Sequence, residues 1–359
     1  MIDNLAQHFS SYAEPVIGVS DEKIVFLNPA AKKFISGLQD GDAASSVFPA
    51  DLLEAGGDTF AGALTLGGRS VTVAVSELDG IHIFRISGTD PTSLDAVGPM
   101  LTNLSEEMRE TLSVLSMACE LLGLQLEEQS DPVISRNISM IYHSYFQLMR
   151  LSGNLSRFFS INRGEEELRS RNTNIVQFLS DLVASVKSLI KRMDIELGFF
   201  SPLDFHIVAV DREKMEQLIL NLLSNSLKYT DPGGAILMSV KVSGGNVVIT
   251  VKDSGKGITP DTLEMSLRKY AYEKDFTDVF GGMGLGISLA SGIAELHGGI
   301  LLISSQEDEG TMVTVTIPDR VMDTGVLMEA PEEQPEMRRI LTELSDVLTY
   351  DLYTPTYLD

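Results

Sequence analysis

The sequence predicts an α+β protein of several domains, and three observations carry that prediction. The hydrophobic period changes along the chain, from β-rich runs over residues 1–95, to helical 4-3 spacing over 98–163, to long helices mixed with strands over 172–319. The length, 359 residues at 43% hydrophobic, supports two or three separate cores. Asn28-Pro29 and Asp131-Pro132 read as capped helix starts, while Gly67, Gly68 and Gly80 read as turns.

In the first segment, Val16 to Val19 and Lys23 to Phe26 are β-rich runs joined at "SDE", and "NPAAKKFIS" opens a helix with Asn28 as N-cap. Later, "GALTLGGRSVTVAVSELDG" and "IHIFRIS" predict an antiparallel meander. With its opening strands running into an Asn-Pro-Ala-Ala helix, the segment resembles a PAS domain. That resemblance implies an α/β sensor with an unknown ligand, and a dimerising module without ligand stays open beside it.

The second segment places Ile134, Ile138, Ile141, Tyr145, Leu148, Leu155 and Phe159 on one helical seam, interrupted at Ser152. With a preceding helix from about Pro99 to Glu127 it makes a helical hairpin. One apolar seam cannot enclose a core, so two copies pairing into a four-helix bundle is the expectation, giving a homodimer. The alternative is that the seam packs on this chain's own flanking domains.

The third segment predicts helices over Asn174 to Arg192, Asp211 to Tyr229 and Leu285 to His297. Strands are expected near Ile195 to Phe199 and Phe205 to Val210, in a hairpin "AILMSVKV" and "NVVITVKD" closed by "SGGN", and at "GILLISS" and "TMVTVTIP". This is an α/β sandwich with helices on one face of a mixed sheet. Residues 320–359 form an acidic tail ending in an amphipathic stretch with Met337, Ile340, Leu341, Leu344, Val347 and Leu348, which either folds back or binds a partner.

The net charge of -24 opposes contact with nucleic acid or an anionic membrane surface. No apolar run is long enough for membrane insertion, the first residues lack a signal-peptide pattern, and the single Cys119 excludes an internal disulfide, so a cytoplasmic protein is expected. Cys119 itself reads as a small core residue.

Three motifs in the third segment point to nucleotide chemistry. In "NLLSNSLKYT", Asn221 and Asn225 project from one helix face, with Lys228 and Tyr229 following. Carboxamides can offer oxygens to hydrated Mg²⁺ and nitrogens to phosphate, and a lysine can neutralise phosphate charge. In "DSGKGI", Asp253 ends a strand where Gly255 and Gly257 let the backbone turn, leaving the carboxylate to accept from an adenine amino group. In "GGMGLGIS", Gly282, Gly284, Leu285 and Gly286 form a glycine-rich turn opening a helix whose amides and dipole can hold phosphates.

In order and spacing these motifs resemble the N, G1 and G2 boxes of the Bergerat-type ATP-binding domain of histidine kinases, Hsp90, MutL and gyrase B. The resemblance implies ATP with Mg²⁺ as cofactors, the metal near Asn221 and Asn225, and a lid between about Pro260 and Gly281. It also implies weak hydrolysis, because Asn221 stands where the family's hydrolases and serine kinases carry a general-base Glu. PAS-like sensor, hairpin and ATP-binding domain together resemble a sensor histidine kinase.

In that family the first hairpin helix carries a pattern close to Ser-His-Glu-Leu-Arg-Thr-Pro-Leu. On "SEEMRETL", Ser105, Glu107, Arg109 and Leu112 match, while Glu106 replaces the phosphoacceptor histidine, Met108 the leucine, Glu110 the Thr/Asn used for dephosphorylation and Thr111 the proline. Glutamate lacks the imidazole nitrogen, so autophosphorylation there is not expected, although the acidic neighbour Glu107 is kept. A plain solvated acidic helix face is the alternative reading of these glutamates. His143 reads as a boundary residue or a displaced acceptor, and His297 as a helix-end residue whose charge would suit a helix C-terminus. His8, His82 and His206 show no supporting neighbours. Three functions follow: an ATP-binding switch or scaffold acting on a response-regulator-like or kinase partner, an active kinase with another acceptor, or a weak ATPase.

Overall fold

The computed structural model describes residues 6, 9–10, 12, 14–35, 37–48, 59–66, 69–78, 80–88, 108, 112, 115, 132–258, 285–323 and 337–353. Glu106, Glu107, Gly282, Gly284, the expected lid, Cys119, the Asp131 cap and the Gly67-Gly68 turn lie outside these residues.

Val16–Ser20 (β1) and Lys23–Leu27 (β2) form a hairpin through Asp21 and Glu22, whose φ values of 49° and 61° are the left-handed geometry a two-residue turn needs. Asn28 caps Pro29–Phe34 (α1). Its Oδ1 accepts from the amides of Ala31 at 2.8 Å and Val16 at 2.9 Å, and its Nδ2 donates to the Glu14 carbonyl at 2.7 Å. One buried carboxamide therefore fixes both the helix start and the entry of β1. Thr59–Leu66 (β3), Arg69–Leu78 (β4) and Ile81–Gly88 (β5) complete the expected meander, giving the order β2-β1-β5-β4-β3. Alternate residues Val71, Val73 and Val75 of β4 face inward, beside a Phe48–Phe84 stack at 4.2 Å.

Pro132–Asn162 (α2) falls where the second helix of the hairpin is expected, and the first helix lies almost wholly outside the described residues. The expected seam of α2 divides. Tyr145 is buried against the third segment, joined there by Tyr142 and Phe146, and Leu155 and Phe159 are also buried, whereas Ile141 and Leu148 are exposed with Val133, Met140 and Leu151. The seam is thus not a single dimer stripe: part of it packs within the chain, as the alternative reading held.

The third segment contains Arg171–Asn174 (β6), Ile175–Leu189 (α3), Glu196–Phe200 (β7), Ile207–Val210 (β8), Arg212–Tyr229 (α4), Ala235–Ser243 (β9), Asn246–Asp253 (β10), Leu285–Leu296 (α5), Ile300–Gln306 (β11) and Gly310–Pro318 (β12). Boundaries differ from the sequence expectation by up to three residues, and β6, paired with β8, is an addition. The β9–β10 hairpin turns on Gly244 and Gly245, with φ of 59° and 78°. Strands run β11-β12-β10-β9-β7, antiparallel except for the β7–β9 pair. Apolar residues of α3, α4 and α5 share one buried cluster with the inward faces of these strands.

One feature had no sequence expectation, and one open alternative is resolved. Strand β3 pairs antiparallel with β11, from Leu301–Ala63 to Ser304–Phe60, so the N-terminal and third-segment strands form one ten-stranded sheet. Leu302 of β11 completes the N-terminal core. The tail folds back: Met337–Glu343 (α6) and the residues after it bury Ile340, Leu341, Leu344, Leu348 and Tyr353 in the α4 cluster. Among the described residues no helix is long and apolar enough to cross a membrane.

Candidate functional site

Helix α4 sets the site. Asp211 caps it, its Oδ1 accepting from the Lys214 amide at 3.2 Å and its Oδ2 from the Arg169 amide at 2.9 Å. Burial pushes this carboxyl upward, but the two amides and the Lys214 ammonium outweigh burial and hold it below its ordinary range. The Asp211 amide donates to His297 Nε2 at 3.1 Å, while His297 Nδ1 donates to the Ile293 carbonyl at 2.8 Å. Burial, helped by Lys214, lowers the His297 pKa against the pull of Asp211. His297 therefore works as an acceptor tying the end of α5 to the start of α4, and burial disfavours the protonated form whose charge would suit the helix end.

At the middle of α4, Asn221 is fully buried. Its Nδ2 donates to the Gln217 carbonyl at 3.0 Å, and its Oδ1 has no hydrogen-bond partner among the described residues. Asn225, one turn on, is half-buried. Gly286, in the first turn of α5, backs onto both: a Cβ placed there would lie 3.0 Å from Asn221 Oδ1 and 3.7 Å from Asn225 Nδ2. The fold thus brings the two asparagines of "NLLSNSLKYT" against the helix opened by "GGMGLGIS", leaving a cradle bordered by an orphaned oxygen.

Asp253, at the end of β10 and only 6% exposed, is held rigidly. Its Oδ1 accepts from the Gly255 and Thr311 amides, both at 3.0 Å, and its Oδ2 from Ser226 Oγ at 3.1 Å. Gly255 and Gly257 are forced. A Cβ on Gly255 would meet the Tyr229 carbonyl at 2.5 Å, and one on Gly257, at φ 65°, the Gln306 carbonyl at 1.9 Å. Tyr229 lies beside this turn, its hydroxyl pKa raised by burial and by Asp346. Lys228 is exposed, its Nζ 5.7 Å from the centre of the Tyr229 ring. Leu285 is buried at the start of α5.

Sequence reasoning missed Ser226 and Thr311, the groups that orient Asp253, and Thr230, whose buried Oγ1 also lacks a partner. Ser226 and Thr230 lie within the asparagine motif itself, whereas Thr311 is reached only through the sheet register that pairs Lys252 with Met312. His143 is half-buried under the tail, its Nε2 2.8 Å from the Ser345 carbonyl and its ring 4.9 Å from Tyr353. His206, expected without supporting neighbours, pairs its Nε2 with Asp319 Oδ1 at 2.8 Å. Among the described residues no cluster of His, Cys, Asp or Glu could hold a metal by itself.

The family described as "Histidine kinase-, DNA gyrase B-, and HSP90-like ATPase" matches residues 210–321, the span from β8 through β12 that contains this site. The chain is similar to sensor histidine kinases, and residues 210–321 carry the family match. An uncharacterised sensor-like histidine kinase of Rhizobium meliloti (strain 1021) is 29% identical over 226 residues, 62% of this chain and 43% of that one. The sensor histidine kinase WalK of Bacillus subtilis (strain 168) is 28% identical over 67% of this chain and 40% of that one. Among solved structures, the Acinetobacter baumannii histidine kinase AdeS aligns at 17% identity and a TM-score of 0.41, over 57% of this chain and 95% of that chain. The chain spans less than half the length of the curated relatives named here.

Proposed function

We propose that this histidine kinase-family chain binds Mg²⁺-ATP and works as a switch or scaffold in two-component-type signalling, without autophosphorylation at the usual position. The observation that supports it best is the orphaned, fully buried Asn221 Oδ1 facing the Gly286 cradle at the start of α5. A buried amide oxygen with no partner is rare, and one placed beside a helix start fits a hydrated cation carrying phosphate. Asn221 and Asn225 would hold the Mg²⁺ and its phosphates, Lys228 would neutralise phosphate charge, and Asp253, pre-set by Ser226 and Thr311, would accept from the adenine amino group. Gly255 and Gly257 would shape the turn beside the adenine, Leu285 and Gly286 the start of α5 at the phosphates, and Gly282 and Gly284 are assigned to the same glycine-rich motif. Bound ATP supplies a transferable γ-phosphoryl group.

In this reading residues 1–95 are a PAS-like sensor of an unknown ligand, 98–163 a dimerising hairpin, 172–319 the ATP-binding domain and 320–359 an acidic tail, and the partner is a response-regulator-like protein or a kinase. Glu106 stands at the acceptor position and Glu107 remains as its acidic neighbour, so the γ-phosphate has no imidazole to meet there. The contacts of His143 with Ser345 and Tyr353 speak against it as a displaced acceptor. Asn225→Asp should weaken Mg²⁺-ATP binding at least tenfold, about 1.4 kcal/mol, in equilibrium dialysis, and unchanged affinity would refute the site assignment. Incubation with labelled ATP separates the alternatives: acid-labile label on a histidine means an active kinase, and many turnovers of released phosphate mean an ATPase.

A further inference from the structure

The C-terminal arm crosses from the hairpin helix to the nucleotide helix and bonds to both. On the hairpin side, the Ser345 carbonyl lies 2.8 Å from His143 Nε2 and accepts from Gln147 Nε2 at 3.2 Å, and Tyr353 packs on Phe146 at 5.2 Å. On the nucleotide side, Arg339 pairs with Glu216 at 3.2 Å and Ser224 Oγ donates to Asp346 Oδ1 at 2.7 Å. Arg150 of α2 joins the two sides, 2.5 Å from Asp346 and 3.6 Å from Glu343.

Asp346 is the informative residue. It sits against Ser224, and Lys228 lies one helical turn further along the same face of α4. The Lys228 charge reaches it: burial raises the Asp346 pKa, but Arg150, Ser224 and Lys228 together pull it below the ordinary carboxylate range. The same carboxylate acts on Tyr229. The Asp346 carboxylate, bonded to Ser224, is thereby fixed one helical turn from the lysine read above as the phosphate ligand.

We infer that residues 337–353 are a latch that opposes polyphosphate binding: docked, the arm clamps α4 to α2 and sets the Asp346 carboxylate beside Lys228, where a nucleotide phosphate would compete with it. This rests on the proposed nucleotide reading of Lys228. Coupling of this kind is reciprocal, so a polyphosphate that is weakened by the docked arm must loosen the arm by the same factor. Occupancy of the nucleotide site would thereby change how firmly the ATPase domain is held to the hairpin. This goes beyond binding alone.

The test uses the full chain. Asp346→Asn keeps the shape and the Ser224 contact while removing the charge, and Glu343 still faces Arg150, so folding should survive, as a circular dichroism melt would verify. Mg²⁺-ATP should bind this variant about fivefold or more tightly than the wild type, with adenosine, which has no phosphate, binding both alike. In the wild type, saturating Mg²⁺-ATP should speed amide hydrogen exchange over 337–353. Equal ATP affinity in the two proteins, or arm exchange that is unchanged or slowed by ATP, overturns the latch. If neither wild type nor variant binds ATP, the nucleotide reading itself fails and takes the latch with it.

Discussion

Gly286 shows how much function one missing side chain can carry. In a helix, exchanging Gly for Ala normally stabilises by about 0.5–1 kcal/mol. Here the added methyl would press at 3.0 Å on the orphaned Asn221 oxygen, tighter than ordinary contact, so the carboxamide must turn away from the cradle. Gly286→Ala should therefore lower Mg²⁺-ATP affinity by about tenfold or more while leaving the thermal midpoint unchanged or raised, and calorimetric titration beside a thermal melt reads both. At this scale the sequence was informative. Asn221, Asn225 and Asp253 were legible because motif spacing fixes which side chains share a helix face or end a strand. The role of His297 was not, since its acceptor bond to Asp211 spans 86 residues and its charge state depends on burial that no local pattern encodes.

Helix α4 was readable as a helix from its apolar content and from Asp211, but its anchorage was not. The cap and the neutral His297 form one unit, and each has its own pH signature. A histidine whose folded pKa is lowered binds fewer protons than the unfolded chain just below its ordinary value of 6.5, so stability is present above that value and is lost as pH falls below it. Asp211, also lowered, contributes stability above its ordinary 3.8 that is lost only as pH falls further. Urea unfolding between pH 8 and 5 should show the first loss in the wild type. His297→Asn, which can still accept from Asp211 without titrating, should remove that slope, and an unaltered slope would refute the neutral-histidine cap. The polar strand β6, "RNTN", escaped sequence reading because it lacks the β-branched and aromatic residues by which strands are recognised, and forms through its pairing with β8.

Across the whole molecule, the segment order was legible from changes of hydrophobic period, whereas the way segments join was not. Backbone pairing between distant strands and the docking of an amphipathic arm leave no period in a sequence, because any apolar face of the right width can fit. Met140, Ile141, Leu148 and Leu151 are exposed on one face of α2, and a second copy is the occupant that the dimer reading assigns to it. Ile141→Glu with Leu148→Glu should convert a dimer to a monomer in analytical ultracentrifugation with little loss of thermal stability, and an unchanged dimer would move the interface elsewhere. The β3–β11 junction also bears on the order of synthesis. Strand β3 leaves the ribosome roughly 240 residues before β11 does, an interval of about 12–48 s at ordinary elongation rates, during which its outer edge has no native strand to pair with. The nascent N-terminal unit must survive that wait with an adhesive margin exposed, so slowed translation of the later segments should raise misassembly far more than slowed translation of the first.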